Sequence, residues 1–273
     1  MLKATAKVKP FFETAKVLTN FLLFLCCNIA KMVEKYTGIV LRTFKYNDSL
    51  MVADLFTLQQ GRKSFLLPVT HSKKARVRNV LFQPLSMVVF TASGTSSKSL
   101  ARISEAQPYQ FYTSIPCDVV KSTIALYLAE ALTYALRENG EDESIFLFLD
   151  RALTWFDAAE EGYADFHLVF LSQLLHFLGI FPNIENLAQN SYFDLQAGCL
   201  VREHPLHPHF LLPADAARFV TLLRADFQSV RSMALNREQR GAYLAVLEEY
   251  YRLHVPDFPR LRSSEVLREI FAG

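Results

Sequence analysis

The sequence predicts an α+β protein, a small five-stranded barrel or sandwich followed by a helical domain. Three observations predict it. Between Tyr36 and Ala106 apolar residues recur with period two in five short runs, and after Tyr109 the period becomes 3.6. The charge balance changes at the same place. Residues 32–113 hold eleven Lys/Arg against four acids, a net +7, whereas residues 114–273 hold thirteen against twenty-two, a net −9. A strand block followed by a helix block reads as two domains, 32–110 and 111–273. The basic half would attract a polyanion; the acidic half would not. Hydrophobic content of 51% and charged content of 21% are globular values.

Residues 1–31 stand apart. "VLTNFLLFLCCNIA" (17–30) has no charge and follows Lys3, Lys7, Lys9 and Lys16. It is short of the roughly 20 residues of a membrane span. Asn28 sits where a signal-peptide cleavage site prefers a small residue. We read 1–31 as an extension upstream of a natural start at Met32, with an export signal or a helix packed on the domain as the alternatives.

The strands follow in order. "TGIVLRT" (37–43) places Ile39 and Leu41 on one face, Val40 and Arg42 on the other. "MVADLFTL" (51–58) is rich in β-tolerant residues, "QQGR" (59–62) supplies a hairpin glycine, and "SFLLPV" (64–69) returns. Pro68 marks an edge or a strand end. "LSMVVFT" (85–91) is nearly all apolar, "SGTSS" (93–97) turns, and "LARISEA" (100–106) alternates.

The expected helices are 114–140, 143–158, 164–179, 213–227, 236–254 and 263–272. The first has Pro116 in its opening turn and Gly140 beyond its end. The third carries Phe166, Val169, Phe170, Leu174 and Phe177 on one face. Residues 180–211, with three of the eleven prolines, read as irregular.

Enzyme signatures are missing: there is no P-loop, Rossmann fingerprint, nucleophile elbow or HExxH pair, and no cofactor is expected. "ENGEDE" (138–143) reads as a solvated turn. His167 and His176, on an apolar helix, read as partnered core or boundary residues, because a general base needs an orienting partner. Cys199, His204, His207 and His209 could supply zinc-type ligands, but their spacing fits no regular site. Four unevenly placed cysteines fit a reducing compartment, hence the cytoplasm.

One stretch carries concentrated charge. "HSKKARVRN" (71–79) holds Lys73, Lys74, Arg76 and Arg78 within six positions, with no acid between Asp54 and Glu105. Arg42, Lys45, Arg62, Lys63, Lys98 and Arg102 lie in the same β-domain. In a five-stranded barrel strand faces and loop tips can line one groove, and these ten cations are expected to form one that neutralises a polyanion's phosphates, the other reading of the loop being an ordinary solvated hairpin connection. Phe44, Tyr46 and Phe65 interleave aromatics with them, as base stacking would use unless the rings are core.

The sequence resembles the RecO family of bacterial recombination mediators over residues 33–270. The residues that carry the likeness are "GIVLRTFKYNDSLMVADLFTLQQGRKSFLLPV" (38–69), the basic loop, "LFQPLSMVVFT" (81–91), "FLSQLLHFLGIFPNIENL" (170–187) and "YFDLQAGCLV" (192–201). Order and spacing over two domains make the likeness, rather than one motif. It departs at 182–210, a degenerate version of a region where many members hold zinc on CxxC pairs. The first pair is absent from "PNIENLAQ" (182–189) and Cys199 stands alone, so no metal is carried over.

The resemblance implies an N-terminal OB-fold barrel and an all-helical C-terminal domain. It also implies a non-enzymatic repair factor, associated with the nucleoid, that binds single- and double-stranded DNA and anneals complementary strands. This makes the ten cations candidate DNA contacts. With a RecR partner it would load RecA recombinase onto strands coated by single-strand-binding protein. The helical domain would take that protein's acidic, hydrophobic C-terminal tail, with Arg218, Arg224 and Arg231 as candidates. The rival reading is an OB-fold interaction module or membrane-anchored adaptor that binds no DNA.

Overall fold

The computed structural model describes residues 32–69, 80–94, 100–137, 140–185 and 190–271. Residues 1–31 and the basic loop 71–79 lie outside these, as do their sequence expectations.

Five strands close a barrel: β1 (Met32–Lys45), β2 (Leu50–Thr57), β3 (Gly61–Pro68), β4 (Met87–Gly94) and β5 (Arg102–Pro108), in the order β1-β2-β3-β5-β4. All neighbours run antiparallel except β3 and β5, which meet in parallel where Leu66 faces Arg102. This is OB-fold topology. β1 is long because its first half pairs with β4 and its second with β2. The crossover falls at Gly38, where a Cβ would meet Leu55, Thr57 and Phe90 at 3.3–3.4 Å. The β2–β3 turn ends on Gly61 with φ +62°, a backbone that favours glycine. Pro68 ends β3, as expected of a residue that cannot donate.

Alternation fills the barrel. Val40, Ala53, Leu55, Leu67 and Val88 point inward around a triad of Tyr36, Phe65 and Phe90, whose ring centroids lie 4.9–5.3 Å apart. The predicted faces of β1 need one correction. The register with β2 shifts between Val40 and Arg42. Leu41 is the bulged residue, and a bulge inverts the parity of the residues beyond it. Leu41 therefore joins Ile39 against the helices, while Arg42 also faces outward, opposite Asp54.

The helices are α1 (Val119–Ala135), α2 (Glu143–Ala158), α3 (Phe166–Phe177), α4 (Pro213–Leu223), α5 (Val230–Met233), α6 (Arg237–His254) and α7 (Ser263–Ile270). Side-chain caps set several starts: Asp118 for α1, Asp142 for α2, and a capping box of Asn236 with Gln239 for α6. Asp142 thus has a structural task within the acidic run read as a solvated turn.

The first helix is shorter than predicted, for a tertiary reason. Asp157 of α2 accepts the amides of Thr113, Ser114 and Ile115 at 2.8–2.9 Å, holding that segment out of the helix. Lys121, 2% exposed, gives its ammonium to Ser114 Oγ at 2.6 Å and to the carbonyls of Asp157 and Ala159. The barrel-to-helix connection is therefore pinned by a satisfied buried cation.

α3, predicted to be amphipathic, is buried almost all round from Phe166 to Leu175, with Phe177 at the margin. It is the hub, packed on α2, α4 and α6. The helix expected to Phe227 stops at Leu223. Residues 180–211 are not wholly irregular: β6 (Tyr192–Asp194) pairs with β7 (Cys199–Val201) and β8 (Phe210–Leu211). Strands of two or three residues are too short to show alternation.

Ile39, Leu41, Phe56, Leu85 and Met87, on the outside of the barrel, belong to the same apolar cluster as α1, α2 and α3. The helices thus cover part of the barrel's outer face; on the part they leave, Phe44 and Arg102 are exposed while Val52 is only 4% exposed. Among the described residues no helix is long and apolar enough to cross a membrane.

Candidate nucleic-acid interface

The free part of the outer face is set by the strand register. Three cross-strand rows succeed one another. Ile39, Phe56 and Arg62 form the row against the helices; Arg42, Asp54 and Ser64 form the next; Phe44, Val52, Leu66 and Arg102 form the third. The β1–β2 hairpin closes beyond it. There Asn47 Oδ1 accepts the Ser49 amide at 2.9 Å, an Asx turn, and Lys45 pairs with Asp48 at 2.6 Å in full exposure. In an OB fold, strands 2 and 3 and the loops beside them form the usual binding surface.

The middle row is an ion cluster on the border between covered and free surface. The Asp54 side chain is only 3% exposed; Arg42 Nε reaches it at 2.7 Å and Arg62 Nη2 at 3.4 Å, and Ser64 donates to its other oxygen. Burial alone would raise its pKa, but Ser64 and the two guanidiniums outweigh that and hold the carboxyl below its ordinary value. Arg62, 15% exposed, also donates to the Thr133 carbonyl of α1 at 2.5 Å. Its charge is engaged in joining barrel to helices. Arg42 is half-exposed and lies 5.3 Å over the Phe44 ring.

Lys63 lies at the mouth of the barrel, donating to Gln60 Oε1 and the Tyr36 hydroxyl and lying over the Tyr36 and Phe65 rings. Burial, and then Glu34, push the Tyr36 hydroxyl up to about 12. Arg102 is exposed at the start of β5. Of the ten predicted cations, then, Arg42 and Arg102 share the outer face, while Lys45, paired with Met51, has the opposite parity and is exposed at the hairpin end. Arg62 and Lys63 are engaged internally, and Lys73, Lys74, Arg76, Arg78 and Lys98 fall outside the described residues. The basic loop nevertheless leaves the barrel beside the hairpin, since the Val69 amide donates to Ser49 at 2.8 Å and Leu50 pairs with Pro68. Of the three aromatics, Phe65 is core, while Phe44 and Tyr46 are exposed.

In the helical lobe the predicted arginines do not converge. Arg218 pairs with Asp215 and lines a small cavity with Phe219 and Tyr243. Arg224 donates to the Ile184 carbonyl, and Arg231 packs its backbone and side chain against Gly162. A larger cavity of about 340 Å³, which sequence reasoning missed, lies between α3, α6 and α7, lined by His167, Arg240, Gly241, Leu244, Arg268 and Phe271 among others. Arg240 is held by Asp165 at 2.7 Å and lies 4.3 Å over Phe271. His167 is fully buried, as expected of a core histidine, yet neither ring nitrogen has a well-formed hydrogen bond among the described residues. Burial, reinforced by Arg240 and opposed to a smaller extent by the Ala164 backbone, pulls its pKa to about 3, so the ring is neutral. The one sequence signal for the cavity is Gly241, an isolated glycine inside a helical pattern.

The three histidines of the zinc-type set have other partners, and Cys199 is a free thiol. His207 pairs with Asp194 at 3.2 Å and His209 with Glu249 at 2.6 Å. His204 bonds the Pro205 carbonyl, and among the described residues no three His, Cys, Asp or Glu side chains converge as a metal site.

A five-stranded OB-type barrel with a partly free basic outer face, joined to a helical lobe, defines the class: an oligonucleotide-binding fold with an appended helical domain. The family described as Recombination protein O N terminal matches residues 32–112, and the one described as Recombination protein O C terminal matches residues 117–265. Proteins named DNA repair protein RecO are similar to it. That of Phocaeicola vulgatus is 41% identical over 241 residues, and that of Bacteroides fragilis 43% over the same length, in each case 88% of this chain and 100% of the relative. That of Flavobacterium psychrophilum is 31% identical over 242 residues. The chain belongs to the RecO family of DNA repair proteins.

Proposed function

We propose that the barrel binds single- and double-stranded DNA without sequence preference and anneals complementary strands. With RecR, in the cytoplasm, it would help load RecA onto strands coated by single-strand-binding protein. The observation that carries the reading is the outer face with Arg42 and Arg102, which ends at the hairpin of Lys45 beside the stem of the basic loop. Phosphate neutralisation by such a surface holds strands while leaving them free to pair, which calls for no catalytic group. Arg62 serves by positioning: it fixes the face relative to the helices rather than meeting phosphate.

The test is a variant with Lys73, Lys74, Arg76 and Arg78 all replaced by Ala. Single-strand affinity should fall for all sequences alike. The log–log salt slope should flatten by about 0.7 for each phosphate no longer neutralised. A folded variant with the parent's affinity and slope would sink the assignment of the loop. A parent chain with no DNA affinity would favour the adaptor reading.

For the tail of single-strand-binding protein we propose the cavity at His167 in place of the predicted arginine trio. Its apolar walls suit a hydrophobic terminal side chain, and Arg240 and Arg268 stand at hand for acidic residues.

A further inference from the structure

We infer that Phe271 is a lid, held in cis in the cavity at His167, and that an acidic peptide with an aromatic end must displace it to bind. This rests on the reading that the cavity takes the tail of single-strand-binding protein, and concerns how access to it is controlled.

Two flat groups build the slot. The Arg240 side chain is 12% exposed. Its Nε donates to Asp165 at 2.7 Å and its Nη2 to the Leu235 carbonyl at 2.8 Å, and the Leu235 amide donates back to Asp165 at 3.1 Å. Those bonds lie in the guanidinium plane, so the group offers the cavity its flat cationic face. The other wall is the neutral, fully buried ring of His167, neither of whose nitrogens is well bonded among the described residues. A cation face and a ring face together suit an aromatic occupant. Phe271 is that occupant. Its centroid lies 4.3 Å from Arg240 Cζ and 5.9 Å from the His167 ring, stacked at 19° to it.

The ring sits at the loose end of a lever. α7 is fixed at its start, where Glu130 of α1 accepts the amides of Arg262 and Ser263 at 3.1 and 2.8 Å and Ser264 donates to Glu248. Leu267 is buried in its middle. Beyond Leu267, Arg268 and Glu269 are exposed and Ile270 and Phe271 are half-buried. Among the described residues this last turn makes no hydrogen bond or ion pair with another element, so the ring is its attachment. Packing does not lock the ring in place either. The cavity beside it keeps about 340 Å³, and a Cβ on Gly241 would meet nothing within 4 Å.

α7 ends on Glu269, Ile270 and Phe271, an acid, an aliphatic and an aromatic residue in succession. The cavity thus already receives from its own chain the chemistry proposed for the tail. A slot between one guanidinium face and one imidazole face admits one ring, so the two occupants exclude each other. The apparent affinity for the visitor is then reduced by the fraction of time that Phe271 is out.

The experiment uses the full chain and a fluorescent acidic peptide ending in phenylalanine. Contacts of this kind shift such a balance by about tenfold. We expect Phe271→Ala to bind the peptide about tenfold more tightly than the parent, and Phe271→Trp to bind it more weakly, because an indole holds a cation better than a benzene ring does. In the parent, added peptide should speed amide hydrogen exchange over 265–271, as the lid leaves, and slow it over 237–244. Weaker or unchanged binding by Phe271→Ala would overturn the lid. So would slower exchange over 265–271 on binding, which would make Phe271 a wall of the site. If the peptide binds parent and Gly241→Leu alike and leaves exchange over 237–244 unchanged, the reading of the cavity falls, and the lid with it.

Discussion

Replacing Asp54 with Asn tests how the barrel is joined to the helices. Asn keeps the shape but removes the charge that faces Arg62 and Arg42 from a nearly fully buried position. Removing one partner of a buried ion pair costs about 3–5 kcal/mol, because the other charge stays behind. Two features reduce that here. Arg62 keeps the Thr133 carbonyl, and the half-exposed Arg42 is restored to water, where such a pair is worth about 0–1 kcal/mol. The expected loss is therefore about 2–3 kcal/mol. At this chain length that lowers the melting temperature by roughly 5–10 °C. The native carboxyl lies below its ordinary value, so its contribution is complete above about pH 4 and is lost as pH falls through the folded value. Urea titrations of parent and variant at neutral pH measure the difference, and the gap should close under acid. A double-mutant cycle with Arg62→Met separates the pair from local packing: Asp54→Asn should cost less than half as much in that background. A neutral-pH difference below about 0.5 kcal/mol, the usual range of a surface substitution, would refute the view that this cluster fastens the lobes.

His167 makes a second case. Its pKa of about 3 in the fold lies far below that of the free side chain, so the unfolded chain takes up the proton first. Stability should fall by about 1.4 kcal/mol per pH unit below pH 6.5, and a His167→Leu variant should lose that share of the acid sensitivity; parallel slopes for the two proteins would contradict it. Gly241→Leu tests the neighbouring cavity. No atom lies within 4 Å of the added Cβ, and glycine costs a helix about 1 kcal/mol, so the variant should be as stable as the parent or more so. It should nevertheless lose affinity for the acidic tail of single-strand-binding protein, and unchanged tail affinity would move that partner elsewhere.

The order of strands and then helices, the glycine hairpin at Gly61 and the limits of α2 were all legible in the sequence. Each is set by near neighbours in the chain: alternation for a half-buried strand, a left-handed glycine for a tight turn, an aspartate cap for a helix start. The site was legible as composition. Its cations and exposed rings stand in one β-domain, and that much needs no coordinates. Tertiary structure decided which of them share a surface. A single bulged residue at Leu41 reassigned Arg42 and Phe44 to the outer face, because strand parity is binary and one extra residue inverts every later position. Asp54, 12 residues from Arg42, and Thr133, 71 from Arg62, engaged two predicted DNA contacts, and no local pattern records a partner so distant. The cavity at His167 likewise exists only where α3, α6 and α7 converge. A helical period identifies a buried face but not the shape of what it meets, so a histidine beside a void and a histidine in a filled core read alike in the sequence.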